Sequence, residues 1–454
     1  MSAEVRIAEP DWLRLKAYLL SDGSEHAAIL IGGTGQSEGS SLICVREVIP
    51  LAEDDLLEGS SDLHLEVSPI VLARVLKQAR FSSQSVVVCH SHPFPGRVSP
   101  SPIDRATEAE FCGRVARMRL DNRPVGSLIL GPDDVSARIF VEETPTPADV
   151  RVVGEHVTLI PGIKRSQASS SSSYERQILL WGQEGQSILS RSTVAIVGLG
   201  GTGSHVALQL AHLGIGRLVL VDHDVLEASN LSRIVGACSD DVGDYKVDVM
   251  KKAVHRVRPD LDVQAVRKSV LEMEPAGLVF ADIVLCCTDG HGSRSLLNEI
   301  AYQYLVPVIE LGVEVQPGAT TSRAGGGVRL VGPGRACLQC MGILDAGLVR
   351  EEFLSMADRE REMELGYLRG QNVQAPSVIA LNGVVSSIAV MEACNLLIGM
   401  FGTSPSRIVY RAEARALNTV QSEADSSCYV CGNQGLTARG SSRRLPRREE
   451  PRAS

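Results

Sequence analysis

Apolar positions along this chain follow two different rhythms. From about residue 174 onward, short apolar runs at Thr193–Val197, Arg217–Val221, Asp262–Val266, Asp282–Cys286 and Val306–Leu311 alternate with helical segments at Ser204–Leu213, after Lys246 and from Gly292. Short apolar runs without alternation are what strands buried on both faces require. Their alternation with helices predicts a doubly wound, mostly parallel α/β sheet, Rossmann-like, with its binding crevice at the carboxyl ends of the strands. Before residue 160 the rhythm is mixed. A helix at Asp11–Ser21 is followed by strands Ala27–Ile31 and Leu42–Val48, a helix at Pro69–Ala79 and a strand at Ser85–Cys89. A helix after Asp104 and strands Val125–Leu130 and Ala137–Val141 complete the pattern of an N-terminal α+β unit.

The run Gln167–Ser173, QASSSSS, reads as a linker. Four segments follow: a first domain over 1–160, a linker over 161–173, a second domain over 174–435 and a tail over 436–454. The tail is rich in Arg, Ser and Pro, with Arg443, Arg444, Arg447 and Arg448 offset by Glu449 and Glu450, and is expected to be unstructured.

Composition narrows the function. With 454 residues and 44% hydrophobic content the chain can bury two or three cores. Its 4% aromatic content leaves those cores to Val, Leu, Ile and Ala. A formal net charge of −9 argues against nucleic acid as a partner. The opening residues MSAEVRIAEP carry no signal-peptide pattern, no apolar run reaches membrane length, and the protein is expected in the cytoplasm. Eleven cysteines, four of them in two Cys-x-x-Cys pairs, point to metal binding in a reducing compartment rather than disulfides.

The first domain carries His90-Ser91-His92-Pro93, then Ser101-Pro102-Ile103-Asp104, with Glu25 far upstream. Residues one apart on a strand point to one side, so both imidazoles can reach one metal. Asp104 would be the third ligand of a zinc ion, leaving a position for water, which marks a catalytic site. Glu25 is the candidate general base, and Ser101 is placed to hydrogen-bond an oxyanion or the water. A lone His-x-His could equally be a polar turn. The full set resembles the JAMM motif of the JAB/MPN metalloproteases, which implies a cytidine-deaminase-like fold and hydrolysis of peptide or isopeptide bonds at the C-terminus of ubiquitin-like proteins. The gap from His92 to Ser101 is one residue longer than the usual pattern, which bears on the serine's role.

In the second domain Gly198-Leu199-Gly200-Gly201-Thr202-Gly203 follows a strand and opens a helix, so backbone N–H groups can meet a phosphate. Asp222 ends the next strand and suits a ribose hydroxyl. Both features fit a dehydrogenase. Asn230, Arg233 and Lys246 add an amide and two cations, Arg176 adds another, and Asp289 can hold magnesium. Nucleotidyl transfer needs such groups and hydride transfer does not. With Tyr174–Leu179, Val221–Asp224, Ser229–Arg233, Val242–Val247 and Cys287–Asp289, the set resembles the ThiF/MoeB-like adenylyltransferases, which include ubiquitin-activating enzymes. The resemblance implies ATP and magnesium as cofactors and a ubiquitin-like or sulfur-carrier protein as partner. It implies Asp222 on the ribose, Asn230, Arg233 and Lys246 on phosphates, and Asp289 on magnesium. It also implies Arg176 as an arginine finger from the other subunit of a homodimer. Without the motif, Arg176 reads as a surface helix charge.

Cys337-x-x-Cys340 and Cys428-x-x-Cys431 are expected to hold a structural zinc, with a redox pair as the alternative. No cysteine lies in Met341–Ala393, where related enzymes place a thioester cysteine. Cys44, Cys89, Cys112, Cys286, Cys287 and Cys394 read as structural, and Cys238 is the least unsuitable candidate. The acyl-adenylate is therefore expected to pass to a separate thiol or sulfur donor. His205, His212, His255 and His291 read as ordinary helix or loop residues, and Gln374–Ser377 as the start of a packing helix. Two enzymatic readings follow: a bifunctional ubiquitin-like system, or sulfur-carrier processing for cofactor or cysteine synthesis. A conjugating enzyme or a sulfurtransferase as the further partner separates them. A non-catalytic JAB scaffold and a dehydrogenase are the remaining alternatives.

Overall fold

A computed structural model of the chain describes residues 2–37, 39–57, 67–108, 123–141, 144–162, 172–318, 322–365 and 376–448. It divides into two units. The first comprises Met1–Ser166, Tyr302–Leu305 and Leu436–Arg444, and the second Gln167–Ala301, Val306–Gly435 and Leu445–Ser454. Most of the expected linker and Cys112 lie outside the described residues.

In the first unit eight strands form one sheet: β1 (Ser2–Ala8), β2 (Ala27–Ser37), β3 (Ser40–Pro50), β4 (Ser85–Ser91), β5 (Val125–Leu130), β6 (Val135–Val141), β7 (Thr144–Val153) and β8 (Val157–Ile160). The order is β1-β3-β2-β4-β5-β6-β7-β8, and β1 also pairs with β7, so seven strands close into a ring with β8 outside it. Leu15 and Leu19 of helix α1 (Glu9–Leu19) are fully buried against inward residues of the strands, including Val5, Leu30, Val87 and Ile139. Helix α2 (Pro69–Phe81) packs Val71, Val75 and Ala79 against Ile29, Ile31 and Val86 on the other face.

β1 alternates Ala3, Val5 and Ile7, which face α1, with Glu4 and Arg6, which are buried on the opposite face of the sheet and mask the strand with charge. Arg6 is fully buried and pairs with Glu4 at 2.5 Å, and Arg151 on β7 donates to Glu4 at 2.6 Å. A strand carrying buried charges folds only where each charge meets its opposite.

The second unit holds β9 (Thr193–Val197), β10 (Arg217–Val221), β11 (Asp262–Val266), β12 (Ile283–Cys286), β13 (Val308–Gln316), β14 (Arg323–Val331), β15 (Arg407–Arg411) and β16 (Ala416–Val420). The order is β11-β10-β9-β12-β13-β14-β15-β16. The first five strands are parallel, as the alternation with helices predicts, and the last three are antiparallel. The helices are α3 (Glu175–Leu189), α4 (Gly201–Leu213), α5 (Lys246–Val257), α6 (His291–Gln303), α7 (Ala346–Phe353), α8 (Met356–Glu364) and α9 (Ile379–Ile398). Contrary to the expectation that no apolar run reaches membrane length, α9 is long and apolar enough to cross a bilayer. It instead buries Val385, Ala389, Ala393 and Cys394 in the core of this unit with Val206, Ile309 and Leu330.

The tail is ordered through Arg448, correcting the expectation of an unstructured segment. Leu436, Ala438 and Leu445 are buried. Within the first unit, Gly33 N–H donates to the Ala438 carbonyl (2.9 Å), Ala438 N–H to Tyr302 (2.9 Å) and Gly440 N–H to Gln303 (2.8 Å). Within the second, Arg447 pairs with Glu274 and Arg448 with Glu272, so both arginines find carboxylates outside the tail. Satisfied backbone groups and paired cations hold a segment whose composition alone reads as solvated.

Candidate functional sites

In the first unit the β2–β4 register places Ala27 opposite His90. Two residues further along each strand direction, Glu25 comes opposite His92. The observed contacts agree: His92 Nε2 lies 3.8 Å from Glu25 Oε1 and 3.4 Å from Asp104 Oδ2, and His90 Nε2 lies 3.5 Å from Asp104 Oδ1. Ser91, between the histidines, turns inward and accepts the His26 N–H at 2.9 Å. That bond ties the start of β2, and with it Glu25, to the histidine strand.

Ser101 and Asp104 cap each other. Asp104 N–H donates to Ser101 Oγ at 3.0 Å, and Ser101 N–H donates to Asp104 Oδ2 at 2.6 Å. The reciprocal pair starts the helical residues 102–108 and fixes the Asp104 carboxylate toward the histidines. Burial works to raise the Asp104 pKa, but the neighbouring His90 imidazole and the hydrogen bonds from Ser101 hold it far below the carboxylate range. Burial and the neighbouring His90 push His92 below its ordinary value against the pull of Asp104.

These residues fit a metal. The ligand atoms of His90, His92 and Asp104 lie within 4.8 Å of one another, and His90 Nε2 is buried without a hydrogen-bond partner. Two imidazoles and one carboxylate are a zinc donor set with room for a further ligand. Behind them, Glu108 is buried, accepts a hydrogen bond from Ser127 and pairs with Arg138.

In the second unit the glycine loop joins β9 to α4. Gly198 has φ +90°, and a side chain on Gly203 would put its Cβ 1.9 Å from the Gly198 carbonyl oxygen, so the tight turn requires both glycines. Asp222, at the end of β10 and 8% exposed, accepts the Leu199 N–H at 2.6 Å and the Asp224 N–H at 2.8 Å. The carboxylate thus braces the loop with one oxygen and its own strand end with the other.

Lys246, at the start of α5, donates to Asp224 Oδ2 at 2.6 Å. Burial tends to raise the Asp224 pKa, but the Lys246 hydrogen bond and charge win and lower it. Asp224, two residues beyond Asp222 in the Val221–Asp224 segment, carries no signal of its own in the sequence. Asn230 is buried, with Oδ1 accepting from Glu227 N–H at 3.4 Å, and Arg233 donates to the Ser229 carbonyl at 3.0 Å. Asp289 follows β12 as an exposed carboxylate with no hydrogen bond or ion pair among the described residues. Arg176 is exposed in the first turn of α3, and no contact among the described residues joins it to this set.

One further residue has no sequence signal. Asn382 on α9 is 2% exposed, and a Cβ on Gly201 would fall 2.1 Å from its Nδ2. The amide therefore lies directly over the first turn of α4.

The four paired cysteines converge within 4.8 Å, with Sγ atoms 3.7 Å apart for Cys337–Cys428 and 3.5 Å for Cys340–Cys431. Those separations are the edges of a tetrahedron with metal–sulfur bonds of about 2.3 Å, so the cluster fits zinc. The Cys431 hydrogen bond draws the Cys337 thiol down to about 5. Asn298 Oδ1 accepts the Leu338 N–H at 2.9 Å and holds the first knuckle to α6. Burial pushes the thiols of Cys44, Cys89 and Cys394 up, to about 12 for Cys44 and Cys394. Cys238 is exposed, with its thiol 3.2 Å from Asp241.

The model of the ThiF family matches residues 174–430. The molybdopterin-synthase adenylyltransferase of Escherichia coli K12 is 30% identical over 263 residues, 57% of this chain and 95% of that protein. The SAMP-activating enzyme E1 of Haloferax volcanii is 31% identical over 273 residues, 59% of this chain and 92% of that protein. The sulfur carrier protein ThiS adenylyltransferase of Escherichia coli K12 is 28% identical over 264 residues, 57% of this chain and 94% of that protein. The chain, through the unit that carries the glycine loop, Asp222 and Lys246, belongs to the ThiF family.

Proposed function

We propose that the second unit adenylates the C-terminal carboxylate of a small carrier protein with ATP. A sulfur carrier is the favoured substrate, because two of the relatives are named for molybdopterin synthase and for the sulfur carrier ThiS. The observation that carries the reading is the bracing of the glycine loop by Asp222, with Lys246 and Asp224 beside it. Asp222 would hold the ribose, and Asn230, Arg233 and Lys246 the phosphates. A carboxylate oxygen of the carrier would attack the α-phosphorus and pyrophosphate would leave, with these cations balancing the charge. Asp289 would hold magnesium, which supplies further neutralisation. Arg176 would serve a second copy of the chain; beside it Leu179 and Leu180 are 87% and 58% exposed, as an interface between copies requires. Among the described cysteines Cys238 alone is exposed, and the acyl-adenylate is taken to pass to a separate thiol or sulfur donor.

The first unit is read as a hydrolase acting on the same class of carrier or its conjugates. Its support is the convergence of Glu25, His90, His92 and Asp104. Zinc held there would polarise a carbonyl and acidify water. Glu25 Oε1, facing His92, is placed to take a proton, and the Ser101 hydroxyl keeps its own proton to donate while its oxygen caps Asp104.

The test is ATP–pyrophosphate exchange with a carrier ending in Gly-Gly. Exchange that requires the carrier and is lost in Asp289→Ala is expected. Absence of exchange in protein shown to bind ATP would overturn the adenylation reading.

A further inference from the structure

The antiparallel end of the second unit's sheet carries a charge imbalance that the nucleotide site does not use. In the β14–β15 register Arg329 stands directly opposite Arg407. Like charges in that relation repel, since directly opposed side chains start only about 5 Å apart. One carboxylate serves the pair: Glu310 on β13, fully buried, accepts from Arg329 at 2.5 Å. The same carboxylate faces Arg294 of α6 at 3.1 Å. Three guanidiniums therefore share one negative charge.

Arg407 is the group left over. It is half-buried, makes no hydrogen bond or ion pair among the described residues, and its Nε is buried without a partner. The Nε of Arg329 is buried and unpartnered as well. Burial first, and then the Arg329 charge, lower the Arg407 pKa, and Glu310 alone opposes them. Arg294 and Arg329 fill the space over Gly312 and Gly327, which are themselves cross-strand partners, so the pair is open only toward β16. Val420, opposite Arg407 on β16, is 44% exposed. Buried unpaired donors in a native fold call for a missing partner.

We propose that the Arg329–Arg407 pair is a binding site for a carboxylate. Glu310 already shows that a carboxylate pairs with Arg329 here, through Nη1 alone, and the planar guanidinium of Arg407 has its own fork of donors to offer. The carboxylate comes either from a free small acid or from an acidic side chain of a bound protein. Since the site is made of β13, β14, β15 and α6 of the second unit, it stands whether or not the adenylation reading does.

The test is thermal unfolding of the full chain at fixed ionic strength, with sodium chloride replaced stepwise by sodium acetate, or with the peptide N-acetyl-Gly-Glu-Gly-amide added. A ligand that binds only the folded state raises the midpoint in a saturable way. A rise of about 2 °C is expected in the wild type. In Arg407→Gln the response disappears, and the midpoint in chloride alone rises above wild type because the repulsion is gone. Arg407→Lys keeps the charge but not the fork, so it shows a weakened response, and it serves should the glutamine variant fail to fold. Arg411→Gln, on the exposed end of β15, responds as wild type. Half-saturation by the peptide at a tenfold lower concentration than acetate assigns the carboxylate to a protein side chain, and equal concentrations assign it to a free acid. An acetate response unchanged from wild type in Arg407→Gln, or in Arg407→Lys where the glutamine variant does not fold, would overturn the proposal.

Discussion

Lys246 and Asp224 form a 2.6 Å ion pair at the rim of the glycine loop. The lysine side chain is 12% exposed and the aspartate 50%, so the ammonium is held from the protein side by a carboxylate that faces water. A phosphate reaching Lys246 must compete with Asp224. Lys246→Met is therefore expected to weaken ATP binding by about tenfold, the loss of one charge-assisted bond. Asp224→Asn should leave ATP affinity unchanged or tighten it a few-fold. Calorimetric titration with ATP checks both; equal weakening in the two variants would show that Asp224 binds nucleotide rather than restraining the lysine.

The buried Glu4 is a stability element of the first unit. Burial works to raise its pKa, but Arg151 and Arg6 bring it down to about 2 from 4.5. A depressed carboxylate stabilises the fold above its unfolded value and loses that contribution as pH falls through the folded one. Glu4→Gln leaves Arg6 and Arg151 without their counter-charge and should cost about 3 kcal/mol at pH 7. In urea denaturation the gap to wild type should narrow between pH 4.5 and 2. A gap independent of pH would mean that packing, not charge, is lost.

The parts legible in the sequence share one property: their neighbours are near in the chain or of one kind. Strands β9, β10, β12 and β13 read as apolar runs because helices and sheet bury them on both faces. The convergence of His90 and His92 on one side of β4 was legible because alternation along a strand aligns them. Illegible were elements whose stability depends on one remote partner. β1 hides behind Glu4 and Arg6, whose compensation by Arg151 appears only in three dimensions. β14 carries no apolar run across Gly325-Gly326-Gly327, yet Gly326 packs beneath Val385 of α9, whose Cγ2 would lie 2.5 Å from an added Cβ. The ion pair of Lys246 with Asp224 joins residues that the sequence offers separately, one to a phosphate and the other to no role.

Zinc content separates the two cysteine and histidine sites. Wild-type protein is expected to hold about two zinc ions per chain by elemental analysis, one in each donor set. His92→Ala should retain the cysteine-bound ion and lose the other. Cys337→Ser should lose the cysteine-bound ion and lower the unfolding midpoint, because that site ties Cys428 and Cys431 to the turn after β14. Retention of both ions in His92→Ala would remove the first unit's metal site.

Glu25→Gln distinguishes a proton acceptor from a ligand. Its carboxylate lies 3.8 Å from His92 Nε2, outside the cluster formed by His90, His92 and Asp104. The amide variant should keep its full zinc content while hydrolysis of a carrier fusion falls by about 10²–10⁴-fold. Zinc loss in this variant would make Glu25 a ligand.

Gly33 tests whether the C-terminal segment is part of the first unit. A Cβ there would stand 2.0 Å from the Arg439 carbonyl carbon, and the Gly33 N–H already bonds Ala438. Backbone cannot yield as a flexible side chain does, so Gly33→Ala must displace the segment and free the buried Leu436 and Ala438. Burial of two such side chains is worth about 2–3 kcal/mol. Limited proteolysis should then cut between residues 436 and 444 at least tenfold faster than in wild type, and truncation before Leu436 should destabilise the first unit by a similar amount. Equal cleavage rates would mean that the segment leaves β2 readily in the native protein.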